Sequence, residues 1–144
     1  FVLFNRLFEP EINVDKEEHK FPFNLSQTGD YKMSLRYIGL LYDNINANIC
    51  ANTGVFDGSD AIKMILGGAD CVQVVSTLYK NKIGHITNIL LDMEKWMDKH
   101  SYKSLSEFKG KLSRAKVQNP FVFKRAQYVD ILMNPEEIIK QYKY

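Results

Sequence analysis

The chain has 144 residues, of which 45% are hydrophobic, 25% charged and 12% aromatic, with a formal net charge of +2 at pH 7. Those fractions suit one soluble globular domain with a real core, and they exclude a disordered, fibrous or low-complexity chain. The small net charge gives no electrostatic ground for binding nucleic acid or a membrane surface, and no run approaches the roughly 18 apolar residues that a spanning helix needs.

The chain opens on Phe1-Val2-Leu3-Phe4, with no basic segment before it and no small-residue cleavage site after it. This reads as a protein cut in mid-strand, so a piece of something longer is expected. The run suits a strand buried on both faces, ended by Asn5-Arg6. Residues 9 to 30 have no helical period and carry an acidic stretch (Glu9, Glu11, Asp15, Glu17, Glu18), so a long connection with room for a hairpin is expected. Leu35, Ile38, Leu41, Tyr42 and Ile45 then recur at helical spacing over 34–45, with Ser34 or Asp30 as candidate N-cap. Ile49-Cys50-Ala51 is the second strand, ended by Asn52-Thr53-Gly54. Asp57 caps the next helix, with Asp60 three residues on as a partial capping box and Gly67-Gly68 as its stop. Cys71-Val72-Gln73-Val74-Val75 is the third strand, ended by Ser76-Thr77. A helix over 84–99 presents Ile86, Ile89, Leu90, Met93 and Met97, and a shorter one is expected near 104–109.

Buried strands alternating with helices predict an α/β fold with a parallel sheet and right-handed crossovers. In such folds ligands bind at the carboxyl ends of the strands, where this chain places small and polar residues. Three strands are too few for a closed eight-stranded barrel of about 250 residues. From Lys103 to Arg125 the chain carries Lys103, Lys109, Lys111, Arg114, Lys116, Lys124 and Arg125 against one acid, Glu107. A docking tail for an anionic partner is one reading, and a solvated surface around a C-terminal helix is the preferred one. Two short helices are expected over 126–133 and 135–142. Cys50 and Cys71 lack metal-site spacing and read as buried reduced thiols, which suggests a cytoplasmic location. His19, His85 and His100 have no ligand spacing, so no metal is expected.

The strongest local signal is Asn52-Thr53-Gly54-Val55-Phe56-Asp57, a strand end, a small turn and a capped helix. Free amides and the positive end of a helix dipole favour an anion there, and Ser76-Thr77 at the next strand end strengthens the signal. Three stretches then resemble a known family: Ile49-Cys50-Ala51-Asn52-Thr53-Gly54-Val55, Asp60-Ala61, and Gly67-Gly68-Ala69-Asp70-Cys71-Val72-Gln73-Val74. They are similar to the C-terminal third of dihydroorotate dehydrogenase, nearest the soluble class 1 type and its relatives. The stretch from Trp96 to Gly110 resembles the family's closing helix and the segment after it. Asn5-Arg6 matches the end of the family's sixth barrel strand. The resemblance runs in order over residues 1 to about 113.

The resemblance implies the last three or so β/α units of a TIM (β/α)8 barrel over 1–113, with a C-terminal helical extension over 114–144. It implies an FMN-dependent oxidoreductase that turns dihydroorotate into orotate in pyrimidine synthesis. Asn52, Thr53, Gly54, Ser76 and Thr77 would hold the FMN phosphate, and Asn5 and Arg6 would lie at the pyrimidine substrate. The family usually has two glycines at Thr53-Gly54, often a glycine at Val75, and commonly a serine at Arg6. Arg6 is then either a clamp for the orotate carboxylate or an ion-pair partner of the acidic segment. The family's active base belongs to a loop after the fourth strand, so no catalytic residue is assigned here, and the chain alone is expected to be inactive. Its open strand edges predict a homo-oligomer. The alternatives are a related flavin- or phosphate-binding barrel with another substrate and a non-catalytic binding module. The electron acceptor stays open among fumarate, a nicotinamide cofactor and a quinone.

Overall fold

The computed structural model describes residues 1–5, 10–20, 25–118 and 123. Arg6, Glu9, Lys124, Arg125 and the two helices expected over 126–133 and 135–142 lie outside the described residues. The elements run β1 (Val2–Leu3), β2 (Glu11–Asn13), β3 (Glu18–Lys20), α1 (Tyr31–Leu41), β4 (Cys50–Ala51), α2 (Gly58–Gly67), β5 (Cys71–Val72), α3 (Ser76–Asn81) and α4 (His85–Lys99), then a single 3-10 turn at Leu105–Glu107.

β1, β4 and β5 form one parallel sheet in the order β1-β4-β5. The expected α/β alternation is therefore present. The strands are shorter than the apolar runs suggested: β1 stops before Phe4, β4 leaves out Ile49, and β5 stops before Gln73. The central strand is tied on both sides: Cys50 N–H donates to the Phe1 carbonyl at 2.7 Å and Asn52 N–H to Leu3 at 2.8 Å, while Ile49 and Ala51 accept from Asp70 at 2.7 Å and Gln73 at 2.8 Å. β2 and β3 form a separate antiparallel hairpin within the long connection. Asn13 Oδ1 closes its turn by accepting from the N–H groups of Asp15 at 3.1 Å and Lys16 at 3.3 Å.

Helix α1 starts and stops earlier than its apolar period suggested. Asp30 occupies the cap position, but its carboxylate accepts from Gln27 N–H at 2.8 Å and so holds the preceding turn instead. Ser34, the other candidate cap, is buried inside the helix and donates to the Asn52 carbonyl at 2.9 Å. In α2 the expected start is present: Asp57 Oδ1 accepts from Asp60 N–H at 2.9 Å. The Asp60 side chain is buried and reaches back to Phe56 N–H at 3.1 Å, and it accepts from Lys63 Nζ at 2.9 Å. Lys63 also donates to the Tyr31 hydroxyl, and these two bonds hold its ammonium above its ordinary range. The helix stops at Gly67–Gly68, as its glycine pair predicts. Residues 76 and 77 do not end a strand. They open α3, an element the sequence reading lacks.

The core lies between the sheet and α1, α2 and α4, built on Ile38, Ile49, Ala51, Val55, Ala61, Met64, Ile65, Ile89 and Phe108. Of the face expected on α4, Ile89 is buried and Met93 and Met97 pack against the core, whereas Ile86 and Leu90 are exposed. Trp96 takes their place in the packed face, with its ring 5.0 Å from Phe108 and 5.6 Å from Tyr102. The chain after α4 then passes under the helix ends. Gly110 N–H donates to Ile65, Leu112 to Leu66 and Arg114 to Gly39, each at 2.9 Å. Those bonds satisfy carbonyls at the last turns of α2 and α1 that helical geometry leaves open.

Three of the seven basic residues of the stretch have side-chain partners within the chain. Lys109 pairs with Asp70 at 2.7 Å, Lys111 donates to the Tyr102 hydroxyl at 2.6 Å, and Lys116 donates to the Tyr42 hydroxyl at 3.3 Å. This favours the surface reading over a free docking tail. The expectation of two buried thiols is corrected: Cys50 is half-buried and Cys71 exposed, because their side chains lie on the sheet face away from the helices. Among the described residues no group of three metal-ligating side chains comes together, and no helix is long and apolar enough to cross a membrane.

Asp70 anchors the amino end of β5 to that of β4. Its carboxylate accepts from Ile49 N–H at 2.7 Å as well as from Lys109. Burial pushes the carboxyl up, but the Lys109 ammonium and the Ile49 amide outweigh it and hold Asp70 below the usual carboxylate range. A depressed native value stabilises the fold above the unfolded value of about 3.9, and that contribution is lost as pH falls through the lower native value. Asp70→Asn is therefore expected to cost about 1 kcal/mol at neutral pH. Urea denaturation across pH should show the gap from the parent chain closing below about pH 4.

Candidate functional site

Parallel pairing puts the carboxyl ends of β1, β4 and β5 on one rim. The segments leaving that rim line a cavity of about 180 Å³ formed by Asn5, Ser26, Asn52, Thr53, Gly54, Val55, Gln73, Val74, Val75 and Ser76. Five residues singled out in the sequence thus meet there: Asn5, Asn52, Thr53, Gly54 and Ser76. Thr77 does not line the cavity. It is fully buried, donates from Oγ1 to the Phe56 carbonyl at 3.2 Å, and accepts from Asn81 at 3.1 Å. Its neighbour Ser76 faces the cavity because α3 begins at this point, and successive helical residues point in different directions. Arg6 lies outside the described residues.

The turn after β4 is shaped by its own bonds. Thr53 adopts φ +74° and Gly54 φ +73°. For Thr53 that left-handed backbone is compensated twice. Its N–H donates to Asn52 Oδ1 at 2.7 Å, and its hydroxyl donates to the Phe4 carbonyl. The Thr53 amide expected to face a ligand is thus already engaged. Gly54 also serves a different need from the one the sequence suggested. A Cβ there would stand 2.5 Å from the Tyr31 backbone nitrogen and 2.9 Å from the Asp30 carbonyl carbon, so the start of α1 occupies the space that the missing side chain frees.

Other groups at the rim remain able to bind. Among the described residues no hydrogen bond uses the backbone N–H of Gly54, Val55, Val75 or Ser76. Ser76 Oγ accepts from Ser26 N–H at 2.9 Å, which leaves its own O–H to donate. Lys80, one turn along α3, donates to the Ser26 carbonyl at 3.0 Å and to Gln27 Oε1 at 3.1 Å. It brings a positive charge behind the Ser26–Ser76 wall, and it packs over the Phe56 ring. Ser26, Gln73 and Lys80 were not legible as site residues. The signal for Lys80 was its i+4 spacing from Ser76, which carries meaning only once 76–81 is read as a helix.

The chemistry of this cavity is that of an anion cradle: amides, a hydroxyl donor, side-chain amides and a nearby ammonium, with no carboxylate in the lining. Its volume suits a phosphate-sized group and falls short of the roughly 300–1,000 Å³ of pockets that enclose whole small-molecule ligands.

The positive φ at Gly54 and the contact with α1 predict that Gly54→Ala destabilises the chain by about 1–3 kcal/mol in urea unfolding. Gly84→Ala, where a Cβ meets nothing within 4 Å, is expected to stay within about 0.5 kcal/mol.

No protein-family model matches the chain. Among curated proteins it is 35% identical over 81 residues to a probable dihydroorotate dehydrogenase A (fumarate) of Streptococcus pneumoniae, covering 55% of this chain and 26% of that protein. It is 30% identical over 82 residues to the dihydroorotate dehydrogenase (fumarate) of Lachancea kluyveri, covering 56% and 26%. Each match thus spans about a quarter of the relative's length. Among solved structures, the fold is similar to that of ligand-free DHODH from Eimeria tenella, with a TM-score of 0.61 at 18% identity over 76% of this chain and 31% of that one. In sequence over about half its length, and in fold over about three quarters, this chain resembles part of the dihydroorotate dehydrogenases.

Proposed function

We propose that this chain is part of an FMN-dependent, dihydroorotate dehydrogenase-like oxidoreductase, and that the cavity at the strand ends holds the phosphate of the flavin nucleotide. The observation that carries this reading is the meeting of Asn5, Asn52, Gly54 and Ser76 around one small polar cavity at the carboxyl rim, within a chain whose curated relatives are dihydroorotate dehydrogenases. Four unengaged amides and the Ser76 hydroxyl match a dianionic group, so the residues present fit a phosphate.

In this reading Gly54, Val55, Val75 and Ser76 hold phosphate oxygens through N–H groups, and Ser76 adds its O–H. Lys80 supplies positive charge from behind Ser26 without leaving its two oxygen partners. Thr53 acts indirectly, since its bonds to Asn52 and Phe4 hold the turn in its left-handed shape and so present the amide of Gly54. Asn5, two residues after β1, lines the same cavity and would contact the pyrimidine ring, and Arg6 follows it in the chain as a candidate partner for the substrate carboxylate. Bound FMN would supply the redox chemistry by accepting the electrons removed from the dihydropyrimidine ring. The remaining strands of a (β/α)8 barrel and the active base would come from chain beyond these 144 residues. A cytoplasmic location belongs to the same proposal.

The test uses the parent protein from the full reading frame. It is expected to carry a flavin absorbance band and to form orotate from dihydroorotate. Ser76→Ala should weaken FMN binding roughly tenfold, the worth of one hydrogen bond to a charged group. Thr77→Ala should lower stability and leave flavin affinity unchanged. Failure of the parent protein to retain any flavin or phosphate ligand would overturn the reading.

The chain alone is also proposed to self-associate. β1 and β5 each have one neighbour in the described sheet, and unpaired strand edges recruit further strands. Light scattering of the isolated chain is expected to give a mass above the monomer, and a clean monomer would argue against it.

A further inference from the structure

The outer sides of α1 and α2 carry a second cavity, of about 730 Å³, whose lining includes Met33, Leu35, Arg36, Leu66, Leu112 and Phe123. It shares no residue with the rim cavity. Its opening does not come from strands that this chain lacks. Ser34 and Ile38 of α1 and Met64 and Ile65 of α2 are buried toward the sheet, so Arg36 and Leu66 turn to the side away from it. In a (β/α)8 barrel that side of the helix ring is the outside. Apolar side chains nevertheless stand uncovered there: Met33 is 54% exposed and Leu112 55%.

The chain supplies the first occupant of this groove itself. After α4 it runs beneath the helix ends and reaches the groove again at Phe123. The Phe123 ring lies against Gly39, where a Cβ would stand 2.5 Å from it, so the ring takes the space a side chain there would fill. Arg36 Nη2 donates to the Phe123 carbonyl at 3.1 Å. Residues 124–144 follow directly, and their sequence complements the groove. Val129, Leu132 and Met133 recur at i, i+3 and i+4, the spacing of one helix face. Asp130, Glu136 and Glu137 supply carboxylates, whereas the charged residues of the groove, Lys32, Arg36 and Lys63, are all basic. Among the described residues Lys32 and Arg36 enter no ion pair.

We propose that the α1–α2 groove is the docking site of this chain's own C-terminal segment, residues 124–144. Val129, Leu132 and Met133 seat beside Phe123, and the carboxylates lie against Lys32 and Arg36. This is the packing of an amphipathic helix in an apolar groove. Tethering favours the chain's own segment over a separate partner. A segment joined to a seated residue meets its groove at an effective concentration on the order of millimolar, so a modest apolar contact holds it. The docked segment bridges α1 and α2 across their outer sides.

This inference does not rest on the flavin reading, and its readouts involve no flavin. The test treats the parent protein from the full reading frame with a carbodiimide, which joins contacting ammonium and carboxylate groups. The expected products are linked peptides pairing Lys32 or Lys63 with Asp130, Glu136 or Glu137, in chains that keep the monomer mass on a denaturing gel. Leu132→Asp should lose those links and speed cleavage after Glu136 and Glu137 by a glutamate-specific protease roughly tenfold. Gln127→Asp, on the other side of the expected helix, should keep links and cleavage at the parental level. Links confined to cross-linked dimers would overturn the proposal in favour of a second copy. So would a parent protein that shows no such link and is cut as fast as Leu132→Asp. The link map of the unsubstituted parent decides the matter by itself if a variant fails to fold.

Discussion

The central strand β4 is hydrogen-bonded along both edges, and the rest of the structure depends on that constraint. Parallel pairing with β1 on one side and β5 on the other forces all three strands to end on the same rim. The two turns that follow β4 and β5 are then neighbours, although residues 52 and 76 are far apart in the chain. Had β5 been antiparallel to β4, Gly54 and Ser76 would lie at opposite ends of the sheet and no common cavity would form. Burial enforces the register: a slip of one residue would turn Ala51 outward and Cys50 into the helices.

Much of the polar inventory of this chain is consumed by holding that arrangement. Asp70 ties the amino ends of β4 and β5 together and fixes Lys109. Asp60 and Lys63 link the start of α2 to Tyr31 at the start of α1. Thr53 locks its own turn. The α1 start fills the space at Gly54 that a glycine in such a turn would otherwise leave for a ligand. Among the described residues, the rim cavity brings together unused amides and the Ser76 hydroxyl, with no carboxylate in its lining. Those groups are the physical content of the proposed anion site.

The sheet has two faces of different character. The helices cover the face of Ala51, whereas Val2, Cys50 and Cys71 form a row on the other. In the proposed barrel this row belongs to the strands' inward face, and in the isolated chain it meets solvent.

Strand–helix alternation, the Asp57 cap and the glycine stop of α2 were legible from the residues alone, because apolar period and capping chemistry act over a few positions. So were the five rim residues that share the cavity, since small and polar side chains at strand ends are local signals. The hairpin was legible only as room for one. Tertiary structure decided the rest. Thr77 turned inward because α3 begins at Ser76, and a six-residue helix is too short to show an apolar period. Lys109, Lys111 and Lys116 found side-chain partners because the chain after α4 folds back beneath α1 and α2. Gly54 proved to be needed by a helix 23 positions earlier, at Tyr31. Cys71 was exposed because burial depends on which face of the sheet the helices cover. Sequence patterns thus set the elements and their ends, which are governed by neighbours along the chain. Which groups are spent on packing and which stay free depends on contacts between distant segments, and those exist only after the strands have paired.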